Sequence, residues 1–345
     1  MKRKILVTGA AGFIGSFLSL ELLKNDNLVV GLDNLNDYYS VSLKEERLKK
    51  LLANSNFSFI KGDISDKDFL FELFKNEKFD IVINLAAQAG VRYSIDHPDT
   101  YISSNIIGFY NVLEACRAYP VKHLVYASSS SVYGRNNKIP YSTDDKVDKP
   151  VSLYAATKKS DELLAYAYST LYQIPTTGLR FFTVYGPMGR PDMAYFSFTN
   201  KLINNEKIEI FNFGHCERDF TYIDDIVNGI KKVIEKPPHI KENENGTKEP
   251  PYKIYNIGNG HPVNLLEFVK ILQEELINAN VLPSNYNFEA HKVFKPMQKG
   301  DVEITFADTT CLEKDFNYKP STSLREGLRE FAKWYYNYYI KQEIK

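Results

Sequence analysis

The stretch Lys4–Gly15, which reads KILVTGAAGFIG, places a short apolar run directly before three closely spaced glycines. The run predicts a buried strand, and the helical apolar spacing of Phe13–Lys24 predicts a helix after the turn. Gly9, Gly12 and Gly15 permit a tight turn and close approach of the backbone to a pyrophosphate, whose charge is stabilised at a helix N-terminus. The sequence therefore predicts a strand, a dinucleotide-binding turn and a helix.

The same alternation continues along the chain. Further apolar runs that indicate buried strands are Leu28–Leu32, Phe57–Ile60, Asp80–Asn84, His123–Ala127 and Thr176–Phe182. Strands that are apolar throughout, separated by helical patterns, are typical of a parallel sheet covered on both faces. We therefore expect an α/β fold with a doubly wound, Rossmann-like parallel sheet.

The strict alternation ends after Gly186-Pro187, which predicts a second, smaller unit with an α/β character. The apolar run Tyr252–Ile257 is expected to return to the first sheet, whereas the polar and prolyl stretch Pro237–Pro251 is expected to be a solvated, mobile loop. The predicted division is a cofactor-binding domain at residues 1–182, with a returning segment near 226–258, and a substrate-binding domain at residues 183–225 and 259–345.

Composition excludes several classes of function. Among 345 residues, 43 basic side chains balance 43 acidic ones, so no global field favours nucleic acid or an anionic membrane surface. The three cysteines, Cys116, Cys216 and Cys311, are too few and too widely spaced for a disulfide framework or a zinc site. No apolar run approaches the roughly 20 residues of a membrane span. We expect a cytoplasmic protein without a bound metal.

An acidic residue follows the second predicted strand. Asp33 can accept hydrogen bonds from a ribose hydroxyl and would repel a 2′-phosphate, so NAD is favoured over NADP. Ligands of open parallel sheets bind at the carboxyl ends of the strands, where other candidate residues fall. The further cofactor-binding candidates are Phe13, Ile14, Asn34, Asp63, Ile64, Leu85, Ala86, Ala87 and Gln88.

A candidate catalytic group lies downstream. Tyr154 and Lys158 are four residues apart on a predicted helix and therefore share a face. Lowering a phenol pKa from about 10 to about 7 requires roughly 4 kcal/mol, which a cation about 4 Å away supplies at an effective dielectric near 20. Ser129, at the end of the fifth strand, can hydrogen-bond the reacting oxygen, with Ser128, Ser130 and Ser131 as helpers. The pattern predicts an alcohol-oxidising base.

Longer motifs accompany these residues, and together they resemble the extended short-chain dehydrogenase/reductase family over nearly the whole chain. Within that family the chain is similar to nucleotide-sugar 4-epimerases that act on uronic acids. The motifs that carry the resemblance are Leu85–Arg92, Ser128–Gly134, Ser152–Lys158, Leu179–Ala194, Arg218–Asp225 and Met297–Asp301.

The resemblance implies a reaction and further site residues. It implies reversible C4 epimerisation of UDP-glucuronate to UDP-galacturonate, through a 4-keto intermediate and tightly bound NAD, in the synthesis of surface polysaccharides. It places Phe181 by the nicotinamide, Thr183 beside the sugar and Arg218 at the UDP phosphates. Asn212, Phe213 and Asp301 are implied to hold the uridine.

A 4-keto uronic acid is a β-keto acid, which readily loses carbon dioxide, so the enzyme must hold the carboxylate. Thr183 and Arg190 are the candidates for this grip, with Arg92 as a further one, although Arg190 could equally pair with Asp192. Alternatives remain: a UDP-glucuronate decarboxylase, a UDP-hexose 4-epimerase, and, in another class, a catalytically inert NAD-binding sensor. Retention of Ser129, Tyr154 and Lys158 together argues against the inert sensor.

The resemblance also implies a homodimer. Relatives often pair through two helices that correspond to Tyr154–Tyr172 and about Tyr101–Tyr119 here. Apolar and aromatic side chains on these helices are expected either at such an interface or in the core. They are Phe109, Leu113, Leu164, Tyr168 and Leu171.

Overall fold

The computed structural model describes residues 2–298 and 301–341. Lys299 and Gly300 of the motif Met297–Asp301 lie outside the described residues, as does the end of the predicted substrate-binding domain, residues 342–345. The strands of the described part are β1 (Lys4–Thr8), β2 (Leu28–Asp33), β3 (Phe57–Lys61), β4 (Ile81–Asn84), β5 (His123–Ser129), β6 (Thr176–Phe181), β7 (Thr183–Tyr185), β8 (Ile208–Ile210), β9 (Glu217–Tyr222), β10 (Lys241–Glu242), β11 (Lys248–Glu249), β12 (Tyr252–Ile257), β13 (Pro262–Asn264) and β14 (Lys292–Phe294).

Helices alternate with these strands. In the described residues they are α1 (Phe13–Leu23), α2 (Val41–Leu52), α3 (Lys67–Glu77), α4 (Tyr93–Asp96), α5 (Pro98–Tyr101), α6 (Gly108–Ala118), α7 (Leu153–Tyr172), α8 (Ala194–Ile203), α9 (Ile223–Ile234), α10 (Leu265–Asn278), α11 (Thr310–Phe316) and α12 (Leu324–Tyr335). A π-helical turn, Ile102–Ile107, joins α5 to α6, and another, Tyr336–Ile340, extends α12. No helix of the described chain is both long and apolar enough to span a membrane.

The main sheet contains seven of the described strands, in the order β12-β6-β5-β4-β1-β2-β3. All six strand pairs are parallel. The order reverses direction between β1 and β4, and such a switch point opens a crevice at the carboxyl ends of the two strands. The predicted doubly wound parallel sheet is confirmed.

The core lies on both faces of this sheet. Ile5 and Val7 of β1 pack in a cluster with residues of α1, α2 and α9, whereas the intervening Leu6 packs in a cluster with residues of α3 and α6. All three side chains have no exposed surface. Because successive strand residues point to opposite faces and helices cover both, the strand is apolar at every position.

A smaller set of strands lies beyond the main sheet. β9 pairs in parallel with β7 and antiparallel with β13, and β14 pairs in parallel with β8. Between the two regions the chain returns, because Tyr252–Ile257 lies beside β6 in the main sheet. This return brings segments far apart in sequence to the same edge of the sheet.

The stretch Pro237–Pro251 contains more structure than the loop expected from its polarity. Its residues are mostly exposed, but β10 and β11 form a two-stranded hairpin in which Lys241 faces Glu249. Gly246 has a φ of 78°, a conformation that favours glycine. The Asn245-Gly246 pair is a common hairpin-turn signal, which polarity alone did not reveal.

The side chains expected either at a subunit interface or in the core divide between the core and the surface. Phe109 and Leu113 are 1% and 0% exposed and belong to the core, and Leu164 and Tyr168 pack against it. Leu171 is exposed. The exposed apolar and aromatic side chains of this region are Ile102, Ile107, Tyr110, Leu163, Tyr166, Leu171 and Tyr172.

Candidate active site

A cavity of about 780 Å³ lies at the carboxyl ends of the central strands and extends to the smaller set of strands. It brings together most of the residues predicted from the sequence. Those that line it are Gly9, Gly12, Phe13, Ile14, Gly15, Asp33, Asn34, Asp63, Ile64, Leu85, Ala86, Ala87, Gln88, Arg92, Ser129, Ser130, Ser131, Tyr154, Lys158, Phe181, Thr183, Arg190, Arg218 and Asp301.

The glycine turn forms one end of this cavity. Gly9 has a φ of 71°, and a Cβ on Gly15 would collide with the Gly9 carbonyl oxygen, so side chains are excluded at both positions. Gly12 caps α1 without a side-chain hydrogen bond. The first amides of an uncapped helix lack intrahelical partners and can bind an anion. This end of the cavity therefore fits a pyrophosphate.

Two carboxylates lie next to the turn. Asp33 accepts hydrogen bonds from the backbone N–H groups of Ala11 (3.1 Å) and Leu35 (2.9 Å). Asp63 accepts hydrogen bonds from the Asn34 side chain and from Ser65. Burial by itself would raise the pKa of Asp63, but these hydrogen bonds lower it below its usual value. Both groups are thus fixed carboxylate acceptors at the carboxyl ends of β2 and β3.

The candidate catalytic residues lie midway along the cavity. Ser129 ends β5, and its hydroxyl oxygen accepts a hydrogen bond from the Ser131 N–H at 3.2 Å. Tyr154 and Lys158 lie in the first two turns of α7, whose N-terminus is capped by the Ser152 side chain at 3.1 Å from the Ala155 nitrogen. The cap fixes where α7 begins. The end of β5 and the start of α7 therefore present their side chains to the same part of the cavity.

The Lys158 ammonium has partners that the sequence did not indicate. Its Nζ donates to the Ala127 carbonyl at 3.0 Å and to Oδ2 of Asp161 at 3.1 Å. Both side chains of the ion pair are almost completely buried. Burial raises the pKa of Asp161 to about 7, although Lys158 opposes the rise. The cation beside Tyr154 is therefore partly balanced by a carboxyl group one helical turn further along α7.

A second buried network holds α7 against the sheet. Glu162 accepts a bidentate pair of hydrogen bonds from Arg180 on β6, at 2.8 and 2.9 Å, and a third from the Ser128 hydroxyl at 2.7 Å. Arg180 also donates to the Tyr133 hydroxyl at 3.0 Å. Because Ser128 precedes Ser129 in β5, this network fixes the helix that carries Tyr154 relative to the strand that carries the serine.

Charged residues, among them Arg190 and Asp192, line another part of the cavity. Arg190 makes a bidentate ion pair with Asp192, at 3.0 and 2.5 Å, and the Tyr38 hydroxyl lies 3.3 Å from Asp192. The pairing that the sequence left open for Arg190 is thus present, and the guanidinium nevertheless lines the cavity. Burial, followed by the charge of Asp192, raises the pKa of Tyr38 to about 12.

An arginine, Arg218, lines the far end of the cavity. Arg218 pairs with Asp301 at 2.7 Å and donates to the backbone carbonyls of Glu217 and Glu303, each at 2.9 Å. The predicted neighbours Asn212 and Phe213 are not among the lining residues, and Phe213 is 53% exposed. Both have left-handed φ angles, 50° and 51°. These left-handed residues belong to a short turn that reverses the chain after β8.

Several lining residues were missed from the sequence. Phe211 lines the cavity instead of the next two residues, and the Arg92 guanidinium lies 5.2 Å from its ring centroid. Tyr38 and Tyr93 also line it, with ring centroids 4.6 Å apart. Tyr38 follows the acidic end of β2 by five residues, a signal of a binding loop that could have been recognised.

The switch-point crevice, the glycine turn and the serine, tyrosine and lysine around one cavity define a dinucleotide-dependent enzyme of the short-chain dehydrogenase/reductase type. The model of the NAD dependent epimerase/dehydratase family matches residues 5–258, and the chain belongs to that family.

Individual relatives are similar over nearly the whole chain. Protein CapI of Staphylococcus aureus is 50% identical over 344 residues, covering 98% of this chain and 100% of CapI. UDP-glucuronate 4-epimerase 4 of Arabidopsis thaliana is 46% identical over 342 residues, covering 97% of this chain and 76% of that protein. The structure of UDP-glucuronic acid 4-epimerase from Bacillus cereus, in complex with UDP-glucuronic acid and NAD, matches with a TM-score of 0.84 and 34% identity, covering 99% of each chain.

Proposed function

We propose that this enzyme catalyses the reversible C4 epimerisation of UDP-glucuronate to UDP-galacturonate, through a 4-keto intermediate and tightly bound NAD. One observation carries the proposal: a single cavity joins the glycine turn, the group Ser129, Tyr154 and Lys158, and a sugar end that contains Arg190 and Arg218. The similarity to proteins named UDP-glucuronate 4-epimerase supports the choice of substrate.

The residues of the glycine turn fit NAD. The uncapped N-terminus of α1 suits the pyrophosphate, and Asp33 suits ribose hydroxyls while repelling a 2′-phosphate. NAD, when bound there, supplies the acceptor and donor of a hydride at the sugar C4. Since one turnover returns the hydride, no net oxidation occurs and the cofactor need not exchange.

Tyr154 is the proposed base, which accepts the proton of the sugar 4-hydroxyl and later returns it. Ser129 is the proposed hydrogen-bond partner of the reacting oxygen. Lys158 stabilises the phenolate form of Tyr154 through its positive charge. Phe181, at the end of β6, is proposed to pack beside the nicotinamide.

Epimerisation requires that the ketone turn over in the cavity without losing its carboxylate. Loss of carbon dioxide is favoured when the breaking carbon–carbon bond aligns with the carbonyl π system. Arg190 and Thr183 are proposed to hold the carboxylate out of that alignment, with Arg92 as a further candidate. Arg218 is proposed to bind the UDP phosphates, since a planar guanidinium matches phosphate oxygens. Asp301 is proposed to hold the uridine, since it lines the cavity and pairs with Arg218.

The test is NMR of the products formed from UDP-glucuronate without added NAD. UDP-galacturonate is the expected product, and its formation would establish substrate, reaction and retained cofactor together. A UDP-pentose as the main product would identify a decarboxylase instead. Conversion of UDP-glucose but not of UDP-glucuronate would identify a hexose epimerase, and no product despite full NAD occupancy would identify an inert sensor.

The two regions of the chain have separate proposed tasks. Residues 1–182, with 226–258, are proposed to bind NAD, and residues 183–225, with 259–345, to bind the UDP-sugar. A cytoplasmic role in polysaccharide synthesis is part of the same proposal.

The enzyme is further proposed to be a homodimer. Ile102, Tyr110, Leu163, Tyr166 and Leu171 form the exposed apolar face of the paired helices, and burying such a face between two copies is favourable. Light scattering across micromolar concentrations is expected to give twice the chain mass. A monomer throughout that range would contradict the dimer.

A further inference from the structure

We propose that Arg47 is a positioning residue: it ties the backbone at Met188 and Gly189, and through it Arg190, to the dinucleotide turn at Ala11. Arg47 lies on α2, outside the catalytic group, and is 1% exposed. The inference rests on the proposed function, because holding Arg190 in place matters for a substrate with a carboxylate.

The guanidinium bridges two segments that are about 180 residues apart in the chain. Nη1 donates to the Ala11 carbonyl in the glycine turn at 2.9 Å. Nη2 donates to the carbonyls of Met188 (2.6 Å) and Gly189 (3.1 Å), and Nε donates to the Met188 carbonyl at 3.0 Å. The residue after Gly189 is Arg190. One rigid fork of donors therefore binds both the cavity end that fits the cofactor and the loop that carries the sugar-binding arginine.

The chemistry of the bridge is unusual for a buried cation. Its partners are backbone carbonyls and the Tyr39 hydroxyl, at 2.7 Å, and no carboxylate of the described residues pairs with it. A buried charge without a counter-ion is costly, so it persists only where dipoles compensate it closely. Arg47 therefore fixes the relative positions of its backbone partners more than it stabilises the folded state.

The loop itself needs a restraint. Met188 has a φ of 54°, in the left-handed region that side chains disfavour. Two of the Arg47 hydrogen bonds hold the carbonyl of this residue. Without them the strained peptide is free to relax, and the neighbouring Arg190 would move with it.

The first test measures the tie without any substrate. Arg47→Lys keeps the charge but removes the fork, and hydrogen exchange at residues 188–192 should accelerate at least fivefold in the NAD-bound protein. Lys50→Gln is the matched control, because Lys50 lies on the same helix and its ammonium lies 3.7 Å from the Met188 sulfur. Unchanged exchange in Arg47→Lys would overturn the tie. If this variant does not fold, Arg47→Gln is measured in the same way.

The second test asks whether Arg47 acts through Arg190. Calorimetric titration should find UDP-glucuronate bound about tenfold more weakly by Arg47→Lys, and UDP bound within twofold of the wild type. Added to Arg190→Ala, the Arg47→Lys change should cause no further loss. Equal weakening of both ligands, or additive losses, would overturn the positioning role. Absence of epimer from the wild-type protein would instead refute the proposed reaction, while the exchange measurement would still decide the tie.

Discussion

The two ends of the cavity are built in different ways. The cofactor end consists of a glycine turn, an uncapped helix and two carboxylates at strand ends, and backbone N–H groups of Ala11 and Leu35 donate hydrogen bonds to the Asp33 carboxylate. The proposed sugar end consists of long charged side chains: Arg190 paired with Asp192, and Arg218 paired with Asp301 more than 80 residues further along the chain. Backbone geometry thus makes one end and side-chain pairing makes the other.

This difference indicates which end of the cavity can determine specificity for the sugar. A turn made by glycines has few ways to vary, so it suits a cofactor shared by many enzymes. Side-chain ion pairs that lie outside the main sheet can be exchanged without disturbing that sheet, so they suit recognition of a particular sugar. Variants at Tyr154, at the proposed sugar end and beside Lys158 should therefore affect different steps.

The largest effect is expected at Tyr154, which lies midway along the cavity, between its two ends. Tyr154→Phe removes the proposed proton acceptor, and kcat should fall by about 10³-fold or more, since positioned acid–base groups contribute roughly 10²–10⁴-fold. NAD content and the KM for UDP-glucuronate should stay close to wild type. Steady-state kinetics measure the loss, with Tyr172→Phe at the exposed end of the same helix as control. Activity within tenfold of wild type would assign the base elsewhere.

The next largest effect is expected at Arg218, at the far end of the cavity. Arg218→Ala removes the proposed charge-assisted hydrogen bonds to UDP, worth about 2–3 kcal/mol, so the Kd for UDP should rise by roughly 30- to 160-fold. Arg218→Lys should recover only part of the affinity, because an ammonium lacks the planar fork. Calorimetric titration with UDP measures both, and NAD content should not change. A loss of NAD equal to the loss of UDP would contradict the separation of the two ends.

A change of product, rather than of affinity alone, is expected at Arg190. Arg190→Ala should raise the ratio of pentose to epimer about tenfold, because the β-keto acid is no longer held away from decarboxylation. Asp192→Asn is the informative control, since it breaks the same ion pair but keeps the guanidinium. NMR of the product mixture gives the ratio. If both variants change it equally, Arg190 serves only to pair with Asp192.

The smallest effect is expected at Asp161, the buried ion-pair partner of Lys158. The pKa of Asp161 in the folded protein, about 7, lies above the ordinary carboxyl value of 3.8. The folded state therefore binds more protons than the unfolded state between pH 4 and 7, and this group's contribution to stability falls as pH rises through that range. Asp161→Asn should lose fewer degrees of Tm than wild type between pH 5.5 and 8.

Thermal unfolding at several pH values measures the Asp161 effect. Glu244→Gln, in the exposed hairpin, is the control and should behave as wild type. Identical pH dependence in wild type and Asp161→Asn would mean that Asp161 stays ionised throughout, with its charge fully matched by Lys158.

Much of this architecture could be predicted because its signals are local. The run of apolar residues in β1 reflects burial on both faces, and Gly9 and Gly15 stand where side chains cannot fit. Tyr154 and Lys158 share a helix, so their spacing alone places them on one face. The interface helices were harder, because helical spacing reveals an apolar face but not whether Phe109 contacts a partner or, as here, the core.

The sequence by itself determined the individual strands, the glycine turn and the position of the candidate base, since each depends on neighbours within a few residues. Only the tertiary structure decided what surrounds them: Asp161 against Lys158, Phe211 rather than Phe213 at the cavity wall, and Arg47 between Ala11 and Gly189. Burial and long-range pairing decide these contacts, and neither follows from the spacing of residues along the chain.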